Sequence, residues 1–141
     1  TRLDPPTLSN ILAIEAIPGG NGRYSPEDLS QVTMTASAGF ASAIAESHRV
    51  HGADAKVVIH TGFWGCGAYG GNKRAMTLLQ LLAARIAQVD TLVFHAFDDA
   101  GMGAYADAKD LHDGLKDEES VAAALRRVGD LSFEWGSSDG N

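Results

Sequence analysis

The sequence predicts an α/β domain with a mostly parallel or mixed sheet flanked by helices. Short β-rich apolar runs alternate with amphipathic runs of helical period, in the order strand, helix, strand, helix, strand, helix, helix. Two of the helical runs open on recognisable caps. With 141 residues, 45% of them hydrophobic and 21% charged, the chain suits one domain with a real core. No internal repeat or linker divides it, so residues 1–141 read as a single domain.

Ile11–Ile17 (ILAIEAI) is β-rich at its ends and reads as a strand. Pro18–Tyr24 is a loop by its Gly, Pro and Asn content. Ser25 then caps a helix with Pro26 at its first position. Asp28 completes a capping box in which Asp replaces the usual Glu. Leu29, Val32, Ala36, Phe40 and Ile44 recur at helical spacing, carrying this helix to about His48. Lys56–His60 reads as a buried strand. Asn72 caps the next helix, which runs to about Val89 with Met76, Leu79, Leu82 and Ile86 on one face. Thr91–Phe97 is the following strand. Two helices are predicted over Tyr105–Lys116 and Glu118–Val128, the second behind Asp117. Leu131–Trp135 reads as a short last strand, and residues 136–141 as a flexible tail.

Charge and composition exclude several function classes. A formal net charge of -7 argues against duplex nucleic acid as a partner, since such proteins carry a basic face. A small anion remains compatible, because backbone N–H groups bind phosphate without net positive charge. The single Cys66 allows no internal disulfide framework and no cysteine-rich zinc cluster. No apolar stretch approaches a membrane span, and no leader-like segment opens the chain. The setting expected is soluble, reducing and intracellular, with the cytoplasm as default and the nucleus left open. The chain opens at Thr1 with the polar, proline-bearing TRLDPP, which reads as a processed or partial product. An N-terminal threonine nucleophile would need a strand and a core behind it, and that context is lacking here.

The stretch richest in chemistry is TGFWGCGAYGGNKR, Thr61–Arg74, between a strand and a helix. Gly65, Gly67 and Gly70 spell G-x-G-x-x-G, a weak pattern that a tight turn alone would explain. Its place at a strand end and helix start adds to it: N–H groups of the loop and of the helix N-terminus are expected to converge on one spot and favour an anion, phosphate above all. A P-loop would require Gly-Lys followed by Ser or Thr, whereas Lys73 is followed by Arg74. A dinucleotide-binding loop would place its first glycine at the strand end. Here Gly62, Phe63 and Trp64 intervene, although Asp98 supplies an acid at the end of the next strand and keeps that alternative open.

GFWGCGAYGG resembles the diphosphate-binding loop of the poly(ADP-ribose) glycohydrolase family, close to G-N-W-G-C-G-A-F-G-G. Phe63 stands in place of the family's asparagine and Tyr69 in place of its phenylalanine. ILAIEAI is similar to the family's IVAIDAL, and a helix carrying the pair Gly39-Phe40 precedes the loop. LLQLLAARIAQVDTLVFHAFDD resembles the family's following helix and strand, Gln80 included. The likeness spans about Ile11–Asp99 and continues more weakly to Val128. It implies a macrodomain-like fold, represented by its carboxy-terminal part, and ADP-ribose or poly(ADP-ribose) as the partner. The backbones of Gly65, Cys66, Gly67 and Ala68 would then wrap the diphosphate, and Tyr69 would lie beside the distal ribose. Gly70 would feed the helix. Phe97 falls one position from the family's adenosine-side aromatic, and core packing is its competing role.

The family's catalytic element, a triple glycine followed by Gln-Glu-Glu, does not occur in these residues. In family order it precedes ILAIEAI, so the resemblance implies a second chain or segment carrying the amino-terminal half. No catalytic residue is assigned. The chain reads as part of a glycoside-cleaving enzyme, or else as a binding module without hydrolysis. Glu118-Glu119 reads as a helix start favoured by the dipole. Cys66 could be a nucleophile near a helix N-terminus, but the family keeps a cysteine there with no covalent role. None of the five histidines pairs at HExxH spacing, so no metal and no cofactor are expected. His48 and His51 straddle the expected helix end. His60 and His95 sit on neighbouring strands and could face each other, with packing as their simpler role. Asp107, Lys109, Asp110, His112 and Asp113 read as a solvated helix surface.

Overall fold

A computed structural model describes residues 10–140. The chain is mixed α/β as expected. Its elements are α1 (Pro26–His51), β1 (Val58–Thr61), α2 (Lys73–Ala87), β2 (Thr91–Phe94), α3 (Asp99–Asp113) and α4 (Val121–Asp130). Among the described residues the sheet is the parallel pair β1–β2, in the register Val58↔Thr91 to Thr61↔Phe94. α2 makes the crossover between the two strands, as parallel pairing requires.

α1 starts at the expected capping box. The Ser25 hydroxyl accepts from Asp28 N at 3.1 Å, and the Asp28 carboxylate accepts from Ser25 N at 2.9 Å. α2 is the central element, buried at Met76, Leu78, Leu79, Gln80 and Leu82. Leu29 and Val32 of α1 close on it, together with Ala108 of α3 and Ala124 and Val128 of α4. A second cluster joins Ala36 and Phe40 of α1 to Ala83 and Ala84 of α2, with Ile59 and Leu92 from the strands. α2 ends at Gln88, a non-glycine residue in the left-handed region at φ 58°.

Several elements differ from expectation. Ile11–Ile17 is not a strand: it pairs with no other strand among the described residues, and β structure without a ladder leaves its backbone groups unmet. The segment instead lies over α1, where a Cβ on Gly39 would stand 2.7 Å from Ile14 Cγ2. β1 begins two residues later than predicted and is not buried on both faces, Val58 being 51% exposed. Only Ile59 and Thr61 turn partly inward. β2 stops at Phe94, three residues short, because β1 ends opposite it.

α3 begins at Asp99 rather than Tyr105. The Asp98 carboxylate caps Gly101 N at 2.6 Å and carries the helix across two glycines. α4 begins at Val121, capped by the Ser120 hydroxyl on Ala123 N. Glu118 and Glu119 therefore precede the helix, and Glu118 pairs with Arg127 at 2.6 Å. Leu131–Trp135 forms a single antiparallel bridge, Arg23↔Glu134, and no strand. Residues 136–140 have no regular secondary structure, yet Gly136 N donates to Gly70 O at 2.7 Å. Residues 1–9, with Thr1 and the TRLDPP stretch, and residue 141 lie outside the described residues.

Candidate functional site

Residues 62–72 link β1 to α2, and the loop folds on itself. Trp64 N donates to Gly62 O at 2.8 Å, Cys66 N to Phe63 O at 3.1 Å, Gly70 N to Gly67 O at 2.9 Å and Gly71 N to Gly65 O at 2.9 Å. Two of these turns need positive φ, at Gly65 (74°) and Gly70 (63°), a region that costs a residue with a Cβ. At Gly71 a Cβ would stand 2.7 Å from Gly65 O, so the doublet is also sterically required.

Buried polar groups pin both ends of the loop. Gln80, on the face of α2 under β1, accepts from the Thr61 hydroxyl at 2.6 Å and donates to Gly62 O at 3.0 Å and Met76 O at 3.2 Å. At the other end the Tyr24 hydroxyl accepts from Asn72 N at 2.8 Å. The Asn72 side chain accepts from Arg74 N and Ala75 N, both at 3.1 Å, and donates to Glu134 O at 2.9 Å. The amides of Asn72, Arg74 and Ala75 are therefore taken within the protein, which corrects the expectation that these helix-start N–H groups would join those of the loop. The N–H groups of Gly65, Gly67, Ala68 and Tyr69 take no partner among the described residues. Of these, Gly65, Gly67 and Ala68 are among the residues expected to wrap a diphosphate, and Tyr69 is the one expected beside the distal ribose.

Ala68 and Tyr69 are exposed, Tyr69 by 49%, and the tyrosine ring stacks on no other ring among the described residues. Gly70 is buried. Cys66 is half-buried with its thiol toward Trp64 O at 3.7 Å. Burial pushes the thiol pKa up to about 12, against a small opposing pull from Lys73. A nucleophile needs the opposite shift. Phe97 is 89% exposed, so core packing is not its role. Phe63, where the resembling motif has asparagine, lies edge-on to Phe94 at 5.1 Å between ring centres, under the Lys73 ammonium at 5.0 Å.

The Asp98 carboxylate, which kept the dinucleotide alternative open, is engaged as the cap of α3. His60 Nδ1 and His95 Nε2 meet at 3.0 Å, stacked but exposed rather than packed. No group of three or more potential metal ligands forms among the described residues. His48 and His51 both fall within α1 and do not straddle its end, and His48 Nε2 lies 3.1 Å from Ala55 O. His112 departs from the solvated surface predicted for its helix: its ring is partly buried, and that burial lowers its pKa. Sequence reasoning missed Tyr24 and Trp135, whose rings stack at 4.2 Å and 10° beside the loop. No local pattern joins residues so far apart. Residues 5–103 match the family model described as poly(ADP-ribose) glycohydrolase, macro domain fold, in the carboxy-terminal region of its catalytic domain.

Proposed function

The chain belongs to the poly(ADP-ribose) glycohydrolase family, and on that premise we propose that it recognises ADP-ribose units through the 62–72 loop. The observation that carries the reading is the run of unpartnered N–H groups at Gly65, Gly67, Ala68 and Tyr69, interleaved with bonded amides at Cys66, Gly70 and Gly71. The half-buried donors of Gly65 and Gly67 lack an acceptor among the described residues, those of Ala68 and Tyr69 face solvent beside them, and a diphosphate offers several anionic oxygens at once. α2 adds the positive end of its dipole, although its Arg74 and Ala75 amides are capped by Asn72. In this reading the exposed Tyr69 ring covers the distal ribose. Phe97, exposed just after β2, is the adenosine-side residue of this reading.

Hydrolysis of the ribose–ribose bond needs an acid to protonate the leaving hydroxyl. The glutamates nearest in pattern, Glu118 and Glu119, lie beyond α3, and Glu118 is held by Arg127. The binding half of the enzyme is thus in these residues, and the catalytic carboxylates come from an amino-terminal segment or second chain. The alternative of a binding module without hydrolysis rests on the same loop. Supplying the amino-terminal half and following labelled polymer separates the two.

Calorimetry with ADP-ribose tests the loop assignment. The chain should bind ADP-ribose in preference to NAD, and Gly67→Val should abolish binding with an unchanged melting temperature. Full affinity in a folded Gly67→Val protein would remove the site from this loop.

A further inference from the structure

The carboxy-terminal segment 133–139 runs from one built anchor to the loop. Tyr24 N donates to Phe133 O at 3.0 Å, and Trp135 N to Gly22 O at 2.8 Å. The Trp135 ring stacks on Tyr24, and a Cβ on Gly20 would collide with Trp135 Nε1, so the indole is seated where the chain has no side chain. Beyond this anchor Gly136 N donates to Gly70 O at 2.7 Å, and Asp139 N reaches Gly67 O at 3.4 Å. The close approach again depends on a bare backbone: a Cβ on Gly70 would lie 2.8 Å from Gly136 O and 2.9 Å from Ser138 N.

A planar trans peptide holds its C=O and the next N–H on opposite sides. A donor on Gly67 O therefore turns Ala68 N–H away from the tail, and a donor on Gly70 O turns Gly71 N–H toward its partner, Gly65 O. We propose that residues 134–139 are a strap that sets the peptide planes of the loop, with Trp135 as anchor and the Gly136 and Asp139 amides as the groups that fix them. Trp135 and Gly136 are positioning residues: they act on the ligand through Gly67 and Gly70. That the ligand is a diphosphate rests on the function proposed above. The setting of the loop does not.

Gly136→Pro deletes the donor to Gly70 O and places a ring carbon there. Trp135→Phe keeps a stacked ring and serves as control. Without ligand, amide hydrogen exchange of Gly70 and Gly71 should rise about tenfold in Gly136→Pro, the loss of about one hydrogen bond, with α2 amides unchanged. A chain ending at Trp135 should behave likewise, and Trp135→Phe like the parent. ADP-ribose affinity should fall several-fold in Gly136→Pro and in the chain ending at Trp135, and not in Trp135→Phe. Unchanged exchange at Gly70 and Gly71 overturns the strap, and so does an equal rise throughout α2, which would make the segment part of the global fold. Faster exchange with unchanged affinity overturns its effect on the ligand. If the parent chain takes no ADP-ribose, the functional reading fails and exchange alone decides the strap.

Discussion

At the scale of single residues, the buried ionisable groups around the loop are held neutral. Burial raises Cys66 from 9.0 to about 12. It also raises Tyr24 from 10.0 to about 12, against the opposing hydrogen bond from Asn72 N. In both cases the folded state keeps its proton after the unfolded chain has lost it. Below pH 9 both states are protonated and neither group affects stability. Between about pH 9 and 12 the unfolded chain binds fewer protons, so stability falls as pH rises, by at most about 1.4 kcal/mol per pH unit for each group. Urea unfolding across this range should show that decline. Cys66→Ser should remove the part beginning near pH 9 and leave the part from Tyr24, which begins near pH 10. Alkylation of native Cys66 near neutral pH should be slow for the same reason. A fast, pH-independent reaction would show a thiolate that burial does not permit.

At the scale of elements, α3 shows how two glycines in one helix carry opposite weights. Gly103 faces open space, and Gly103→Ala should raise stability by about 0.5–1 kcal/mol, the ordinary gain of replacing glycine in a helix. A Cβ on Gly101 would stand 2.8 Å from Phe63 Cε2 and 3.0 Å from the capping Asp98 Oδ1. Gly101→Ala should therefore lower stability, since a packed ring or the cap must move. Denaturant midpoints of the two variants check the signs, and equal shifts would remove the Phe63 contact from the account.

The same helix marks where the sequence stops being legible. Ser25 and Asn72 are caps readable in place, because their partners are two or three residues away. The apolar stripes of α1 and α2 likewise lie within one window. The start of α3 was not readable, since Gly101 in its first turn lies against Phe63, far off in sequence. Ile11–Ile17 has strand composition but no ladder to join. The loop's glycines and the Asn72 cap were legible, whereas the hold of Tyr24 on the Asn72 amide was not, because Tyr24 arrives from before α1.

At the scale of the molecule, Trp64 joins the two core clusters. It packs against the group around Leu79 and Met76 and against that of Phe40 and Ala83. One loop residue thus touches both parts of the interior, and the whole should unfold as a unit. In a Trp135→Phe background Trp64 is the remaining tryptophan. Its fluorescence and the far-UV circular dichroism should follow one urea transition with one midpoint. Two separated midpoints would mean that the clusters melt independently.

The closure of the carboxy-terminal segment on the loop also bears on how the protein is handled. Any chain that continues past Asn141, natural or appended, departs two residues after Asp139, whose amide reaches Gly67 O. An affinity tag, fluorescent protein or immobilising linker at that end would pull on the segment that abuts the glycines. Binding assays on carboxy-terminally fused and cleaved protein would then differ at the loop itself, with every helix unchanged.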